Sequence, residues 1–434
     1  MTNFDVDVIV VGAGPAGSCA ALHLARAGLR VVLIERGPFP GSKNMYGGVV
    51  YPRVLDTILP GWWEDVPVQR WITRRSTMVT TGTQALTVDF RSEAWGAAPY
   101  NGATAYRPDF DQWLAGKAVQ AGATLLTSTT VTGLVLEAGR VVGVRTDRPD
   151  GELRAPMVIA CDGVNSFVAK EAGLYPPVDA ANFTLGVKET IALPKDVIDE
   201  RFGVRGNHGV DIEIVGCTNG IPGGGFLYTN LDTLAVGVVL KLPALAKQKM
   251  RPEEIIASMK AHPAVAPLVE GGELKEYSAH VIPEGGWHAM PKLAMPGLLV
   301  AGDAAALCLA AGIWLEGVNM AMGSGLAAGR TAEQAIGHAG ASASFDLDRT
   351  YRRELGYVLA NHRKLREAPH LVLSDRVQHR YPAMVANIFE RVFRVDDPMP
   401  KPGLRRIVAD ERKRAGVRMR DLARDTWTAL RGFG

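Results

Sequence analysis

The sequence predicts an α/β protein: a parallel sheet begun by an N-terminal βαβ unit, an inserted mixed β-sheet, and a helical C-terminal region. Three observations lead there. The β-branched run Val8-Ile9-Val10-Val11 opens directly into Gly12-Ala13-Gly14-Pro15-Ala16-Gly17. Buried-strand runs of the same kind recur far downstream, at Met157-Val158-Ile159-Ala160 and Gly297-Leu298-Leu299-Val300-Ala301. Between them, from about Leu174 to Pro291, the pattern changes to longer strands separated by turns. The 434 residues, 47% of them hydrophobic, suffice for two or three packed layers and exclude a disordered chain. A net charge of +3, from 48 basic and 45 acidic residues, argues against a nucleic-acid partner. Glycine, at 48 residues, exceeds its usual share of roughly 7%, so close backbone approaches are expected.

Each element follows from local signals. A helix is expected from about Pro15 to Ala27, with proline in its first turn and Gly28 at its end. Arg30-Val31-Val32-Leu33-Ile34 supplies the second strand and ends at Glu35-Arg36. Gly37 to Ala105 reads as loop-rich, with an antiparallel patch around Thr77 to Phe90. A helix led by Tyr106-Arg107-Pro108-Asp109-Phe110-Asp111 runs to Gly122, with Phe110, Trp113, Leu114 and Ala118 on one face. Turns at Glu137-Ala138-Gly139-Arg140 and Arg148-Pro149-Asp150-Gly151 join strands at Val131–Leu136 and Val141–Thr146 to a shorter third. In the insertion, Asp211–Val215, Phe226–Thr229 and Leu234–Leu240 read as strands and Pro252–Ala261 as a polar helix. Gly302-Asp303 begins a small-residue, helix-rich stretch reaching Gly329, and Ser342 to Gly434 reads as mostly helical around the Pro-rich Asp397–Pro402. The expected division is 1–173 and 292–340 for the first domain, 174–291 for the insertion that covers its ligand, and 341–434 for the helical region.

The glycine turn carries the first chemistry. Gly12-x-Gly14-x-x-Gly17 makes a tight turn, lets a pyrophosphate approach backbone N–H groups at a helix N-terminus, and allows close helix–sheet packing. Glu35 stands 18 residues after Gly17 at the end of the second strand, where a carboxylate accepts hydrogen bonds from ribose hydroxyls and repels a 2′-phosphate. FAD or NAD remains. Strand-Asp162-Gly163 and strand-Gly302-Asp303 then resemble, in order and spacing, the secondary fingerprints of flavoproteins of the glutathione-reductase and aromatic-hydroxylase type. That resemblance selects FAD and an FAD-binding Rossmann-like domain. In such proteins the second acid lies at the ribityl chain, and the helix after it aims its positive end at the isoalloxazine, stabilising the reduced ring. No second dinucleotide motif for NADPH is evident.

Further motifs narrow the resemblance. Glu35-Arg36-Gly37 followed by Pro40-Gly41-Ser42-Lys43-Asn44 and Gly47-Gly48 is similar to the loop of the electron-transfer-flavoprotein:quinone oxidoreductase family, in particular its Fix-type C-subunit branch. Arg107-x-x-Phe110-Asp111-x-Trp113-Leu114, Gly186-Val187-Lys188-Glu189, Gly224-Gly225-Phe226-Leu227-Tyr228-Thr229-Asn230, His262-Pro263, Glu270-Gly271-Gly272 and Ile282-Pro283-Glu284-Gly285-Gly286 continue it in order, over Val8 to about Arg330. The resemblance implies that Gly12, Gly14, Ala16, Gly17, Glu35, Arg36, Arg107, Val131, Asp162, Gly163, Gly302 and Asp303 hold FAD, with Lys43, Asn44, Gly317 and Asn319 near the flavin end. It implies a quinone pocket along Gly224, Gly225 and Phe226. It also implies a flavin-based oxidoreductase with no protein nucleophile and no metal ligands, taking electrons from an electron-transfer flavoprotein heterodimer and passing them to a quinone.

One departure matters. Full-length members carry a C-terminal four-cysteine cluster domain, whereas Cys19, Cys161, Cys217 and Cys308 lie far apart here and none follows Cys308. The resemblance to the Fix-type branch therefore implies a separate ferredoxin-like iron–sulfur protein. The N-terminus shows no basic stretch leading into an apolar run, and no apolar run of 18 residues occurs, so a cytoplasmic protein, at most peripheral on the inner face of the cytoplasmic membrane, is expected. Trp62-Trp63 with Trp71 reads as core or lid rather than a membrane anchor, His262 and His280 as structural, and the eight basic residues from Arg405 to Asp425 as a solvated helical face that could dock an acidic partner or anionic lipid. A geranylgeranyl-reductase-like flavoenzyme acting on a prenyl lipid shares the fold and is the alternative. An aromatic-ring monooxygenase lacks support for want of a nicotinamide motif, and an adaptor holding FAD only structurally is the non-enzymatic contrast.

Overall fold

The computed structural model describes residues 4–44, 48–310, 315–338, 345–395, 399–400 and 402–433. Residues 1–3, Gly47 of the loop motif, Ser342, and Asp397, Pro398 and Lys401 of the Pro-rich segment lie outside the described residues. β1 (Val8–Val11), α1 (Pro15–Arg26) and β2 (Val31–Ile34) form the βαβ unit. Four strands follow, β3 (Gly48–Val50), β4 (Arg70–Thr80), β5 (Ala85–Arg91) and β6 (Ala103–Ala105), then α2 (Arg107–Gln120) and β7 (Thr124–Leu126). β8 (Val131–Glu137), β9 (Arg140–Thr146) and β10 (Glu152–Arg154) make a small antiparallel sheet before β11 (Met157–Ala160) and α3 (Phe167–Glu171).

The insertion runs through β12 (Phe183–Ala192), α4 (Lys195–Phe202), β13 (His208–Val215), β14 (Gly223–Thr229) and β15 (Thr233–Lys241). Helices α5 (Leu242–Gln248), α6 (Pro252–Ala261) and α7 (Ala266–Val269) then lead to β16 (Glu273–Pro283). The chain returns through β17 (Ala294–Met295) and β18 (Leu298–Val300) to α8 (Val318–Gly337). It ends in α9 (Leu347–Lys364), α10 (Ala368–Val372), α11 (Tyr381–Phe393), α12 (Leu404–Arg414) and α13 (Met419–Phe433).

The first sheet has the order β17-β18-β11-β1-β2-β7, parallel from β18 to β7. Every residue of β1, β2, β11 and β18 is buried, as continuous apolar strands covered on both faces require. The second sheet, β16-β12-β15-β14-β13-β4-β6-β3 with β5 on β4, is larger than its sequence footprint. The antiparallel patch expected at Thr77 to Phe90 is the β4/β5 hairpin, but β4 also runs parallel to β13, so strands from the loop-rich region complete the inserted sheet. Fully buried Arg70 pins that seam: its Nε donates to the Asn230 carbonyl at 2.6 Å and Nη1 to the His208 carbonyl at 2.9 Å, with an ion pair to Asp199 at 2.6 Å. A long-range charge contact of this sort has no local sequence signature.

Helix α8 is a second correction. Gly302-Asp303 opens only a 3-10 turn to Ala305, since Gly302 takes a φ of +65° and Ala306 one of +54°, and the long helix starts at Val318. Its small residues serve contact with α1: a Cβ on Gly325 would lie 1.9 Å from the Ala16 carbonyl oxygen, and one on Gly329 3.1 Å from that of Ala20. Trp62 is buried, donates from Nε1 to Asp56 at 2.8 Å and meets Trp63 and Trp71 edge to face, so the tryptophans build core. Among the described residues no helix is long and apolar enough to cross a membrane. Replacing Gly325 by valine is expected to lower the unfolding free energy by about 3 kcal/mol, whereas Gly337→Val, with open space around its Cβ, changes it by less than about 1 kcal/mol. Denaturant unfolding of both variants checks this.

Candidate functional site

Elements of both large sheets line one cavity of about 500 Å³, a usual size for a cofactor or small-molecule site. Gly12 and Gly17 build its floor rather than its wall. A Cβ at Gly12, where φ is +99°, would lie 2.3 Å from the Cys161 carbonyl oxygen, and one at Gly17 would lie 1.9 Å from that of Gly12. Gly14, the N-cap of α1, has nothing within 4 Å of where its Cβ would be and faces the open cavity. Behind it the first-turn N–H groups of α1 have no intrahelical acceptor.

Around that opening the structure gathers nearly every residue singled out from the sequence. Gly12, Gly14, Ala16, Glu35, Arg36, Lys43, Asn44, Arg107, Val131, Asp162, Gly163, Gly302, Asp303 and Gly317 all line the cavity; Gly17 and Asn319 do not. The Glu35 carboxylate is anchored by the N–H groups of Ala13 at 3.1 Å and Gly37 at 2.7 Å, which fixes its place beside the glycine turn. Arg107 holds Asp111 with Nε and Nη2, at 2.9 and 2.8 Å, and Asn44 donates to the same carboxylate at 3.2 Å. Arg107 is thus positioned by Asp111, with Nη1 outside that pair. Asp162 departs from a purely ligand-facing role: its carboxylate accepts from the Val168 N–H at 3.0 Å and from the Ser166 hydroxyl at 3.2 Å, capping α3.

Asp303 sits in a field of its own. Burial pushes its carboxyl above the usual range, while His280 and Arg107 pull it back down. Burial in turn lowers the imidazole of His280, which favours its neutral form. Gly317 caps α8, so the positive end of that 20-residue helix borders the cavity. The arrangement fits FAD on several counts: an open glycine cradle beside the first-turn N–H groups of α1, an anchored carboxylate after β2, and the N-terminus of α8. Asn319 adds a buried Oδ1 without a partner in the first turn of α8.

The rest of the cavity belongs to the second sheet. Gly224, Gly225 and Phe226 of β14 line it, with Val239, Ile282, Leu315, Pro369 and Leu373 supplying an apolar wall. The two glycines differ. A Cβ on Gly225 would strike Met259 Sδ at 2.4 Å and Cys217 Sγ at 2.6 Å in the core behind the sheet, so only its backbone reaches the cavity. At Gly224 the one atom within 4 Å is the Ile214 carbonyl oxygen. The C-terminal region clamps this strand, because the buried Gln378 amide oxygen accepts the Gly223 N–H at 3.3 Å. Sequence reading passed over Tyr51, Asp211 and Glu213 on this wall as site residues, named Tyr228 and Glu284 only as members of motifs without a role, and treated His280 as structural. Asp211-Ile212-Glu213-Ile214 did carry a signal, acids alternating with isoleucine in a strand; Tyr51, Pro369 and Leu373 carried none. His262 is structural, bonded to the Thr81 carbonyl at 2.9 Å.

Comparison with known proteins agrees with this geometry. Residues 5–200 match the FAD binding domain family, and residues 368–434 match the ETF-QO/FixC family C-terminal domain. The chain is 39% identical to the probable electron transfer flavoprotein-quinone oxidoreductase YdiS of Escherichia coli (strain K12), over 96% of this chain and 97% of that one. It is 40% identical to protein FixC of Salmonella typhimurium, covering 94% and 95%, and 37% identical to protein FixC of Rhizobium meliloti, covering 91% and 92%. Among solved structures, a geranylgeranyl bacteriochlorophyll reductase-like protein from Thermoplasma acidophilum shares the fold with a TM-score of 0.71 and 21% identity, covering 94% and 97%. The myxobacterial halogenase CndH does so at 0.63 and 17%, covering 99% and 97%. Likeness at that identity carries the fold alone.

Glu284 gives the cavity a measurable pH signature. Burial pushes its carboxyl up to about 7 from an ordinary 4.5. The folded state therefore holds a proton that the unfolded state has lost, and the group's stabilisation is full below pH 4.5 and gone above about 7. Glu284→Gln is expected to remove roughly 2 to 3 kcal/mol of pH dependence across that window. Unfolding free energies of the two proteins at successive pH values measure it; parallel curves would refute the assignment.

Proposed function

This chain belongs to the ETF-QO/FixC family of FAD-dependent oxidoreductases, and from that membership we propose that it takes electrons from an electron-transfer flavoprotein heterodimer and passes them to a quinone. The observation that carries this reading is the shared cavity: the glycine cradle of the first sheet and the glycine strand β14 of the second open into the same space, so donor-facing cofactor and acceptor need no long path between them.

In this reading Gly14, Ala16 and Gly17 present backbone N–H groups to the pyrophosphate of FAD, while Gly12, whose own N–H is donated to the Ile34 carbonyl at 2.7 Å, makes the turn, with Arg36 and Arg107 as nearby cations and Glu35 on the ribose hydroxyls. Val131 and the Asp162-Gly163 turn border the adenosine half. Gly302 and Asp303 hold the ribityl chain, and Lys43, Asn44, Gly317 and Asn319 surround the ring. Bound FAD supplies a redox centre that takes up and releases electrons one or two at a time. The positive end of α8 favours negative charge at that place, which raises the affinity for electrons. Gly224 and Phe226 with Val239 and Ile282 offer an apolar wall for a quinone ring, and the Gly225 backbone borders it.

Partners follow from the same reading. Cys19, Cys161, Cys217 and Cys308 are all buried and spread along the chain, which supports a separate ferredoxin-like protein as carrier of the iron–sulfur centre. Quinones reside in the bilayer, and α13 offers exposed Met419, Trp427 and Leu430 beside Arg420, Arg424 and Arg431. That face suits peripheral contact with an anionic surface on the inner side of the cytoplasmic membrane.

Anaerobic stopped-flow mixing tests the proposal. Reduced electron-transfer flavoprotein is expected to bleach the yellow protein, and a short-chain quinone to restore its colour. Bleaching by NADPH with no response to the flavoprotein would overturn the reading. Gly224→Leu, which adds bulk to that wall, is expected to slow quinone reduction at least tenfold with FAD content unchanged. Asp303→Ala is expected to weaken FAD retention at least tenfold, read by cofactor release on dilution.

A further inference from the structure

The second sheet carries an acid pair that the site as described leaves without a role. Asp211 and Glu213 lie two apart on β13, hence on one face, and both line the cavity. Across the antiparallel ladder they stand opposite Tyr228 and Phe226 of β14, the latter in the wall offered to the quinone. On their other side β4 brings Arg75 and Thr77 into register with them. The Arg75 guanidinium pairs with both acids, touching Glu213 directly and reaching Asp211 at 3.5 Å, and also lies 5.7 Å from the centre of the Tyr51 ring. Both carboxyls are buried, 6% and 9% exposed, so one cation answers two acids in a low-dielectric place. Two like charges so placed resist joint ionisation.

We propose that Asp211 and Glu213, bridged by Arg75, are the proton-delivering group of the acceptor site. The inference rests on the quinone reading above and deepens it. Conversion of a quinone to a quinol adds two electrons and two protons. The electrons come from the reduced donor flavoprotein, which is oxidised. The pair delivers the protons one after the other: a carboxyl O–H bond breaks, an O–H bond forms on a quinone oxygen, and a proton from bulk solvent reprotonates the carboxylate before the second transfer and again after it. The net change is quinone plus two electrons plus two protons to quinol.

Several groups set the proton affinity of the pair. Burial raises both carboxyls, the negative charge of Asp211 raises Glu213 further, and Arg75 lowers both. Tyr51, behind Arg75, and Tyr228, beside Asp211, are themselves held protonated by burial and by the acids. A pair poised above the ordinary carboxylate range holds a proton near neutral pH and can release it to a developing quinol oxygen.

The test uses the FAD-loaded protein with three variants, Asp211→Asn, Glu213→Gln and the double substitution, plus Glu213→Asp as the carboxyl-retaining control. Reduction by the donor flavoprotein is followed by reoxidation with either a short-chain quinone or ferrocenium, an acceptor that takes an electron without a proton. Expected is a tenfold or greater loss of quinone reduction in the double variant, ferrocenium reoxidation within twofold of wild type, and recovery in Glu213→Asp. The wild-type rate should fall with rising pH as the pair loses its proton, and that limb should vanish in the double variant. Carboxyl bands in infrared difference spectra that titrate in the wild type and are missing from the variants give a readout independent of turnover. Quinone reduction in the double variant at the wild-type rate, with the same pH profile, would overturn the inference and leave the quinone reading standing. A wild type that reoxidises with ferrocenium but never with quinone would overturn both.

Discussion

The architecture depends on how closely three backbones approach one another at the glycine turn. Gly12 lets the β1 exit lie against the Cys161 carbonyl, Gly17 lets α1 rise directly over Gly12, and Gly325 seats α8 on the Ala16 carbonyl. At each contact an added methyl group would overlap a main-chain oxygen, which cannot move without moving a strand or helix. These contacts bring the turn, the first turn of α1 and the Gly302-Asp303 turn together, while α8 ends at the same cavity. An anionic, electron-accepting cofactor finds the first-turn N–H groups of α1 and the N-terminus of α8 there, together with the cationic side chains of Arg36, Lys43 and Arg107.

The second sheet divides its two faces between different tasks. Behind it, Leu227, Val236, Val238, Ile256 and Met259 form a core of their own, and Gly225 is small because that core leaves it no room. In front, Gly224 and Phe226 meet the cavity, with Asp211 and Glu213 on the neighbouring strand. Strand alternation thus separates neighbouring glycines into a packing residue and a site residue. The Gln378 bond to Gly223 ties the C-terminal helices to the same strand, so the region that matches the ETF-QO/FixC C-terminal domain also shapes the second-sheet end of the cavity.

Much of the buried charge is answered by a partner. Arg70 is enclosed by carbonyls and Asp199, Arg107 by Asp111, and Asp425 by Arg376 and Tyr381. In the C-terminal region the buried members of these pairs are acids, Glu411 and Asp425, and the arginines fan outward. The basic face foreseen from Arg405 to Asp425 is the outer surface of that arrangement. The cavity acids differ, because Asp211 and Glu213 share Arg75, and the charge of Glu284 is set by burial against the weaker opposing pull of Thr184 and Lys241.

The sequence by itself determined the FAD-binding half. Its signals are local: a strand, a glycine turn and a helix within 20 residues, an acid at the end of the next strand, and two later strand-turn dipeptides, all of which line one cavity apart from Gly17. Backbone geometry imposes glycine at given positions whatever surrounds them, so such motifs are legible without a fold. Tertiary structure alone decided the second-sheet end of the cavity. β4 joins β13 over 130 residues away, α8 begins at Val318 instead of Gly302, and Tyr51, Arg75, Asp211, His280 with Glu284, and Leu373 meet from five separate stretches. Each of these residues is ordinary where it stands in the chain; its role comes from neighbours that only strand pairing and helix packing supply, and contacts at that sequence separation leave no periodicity to read.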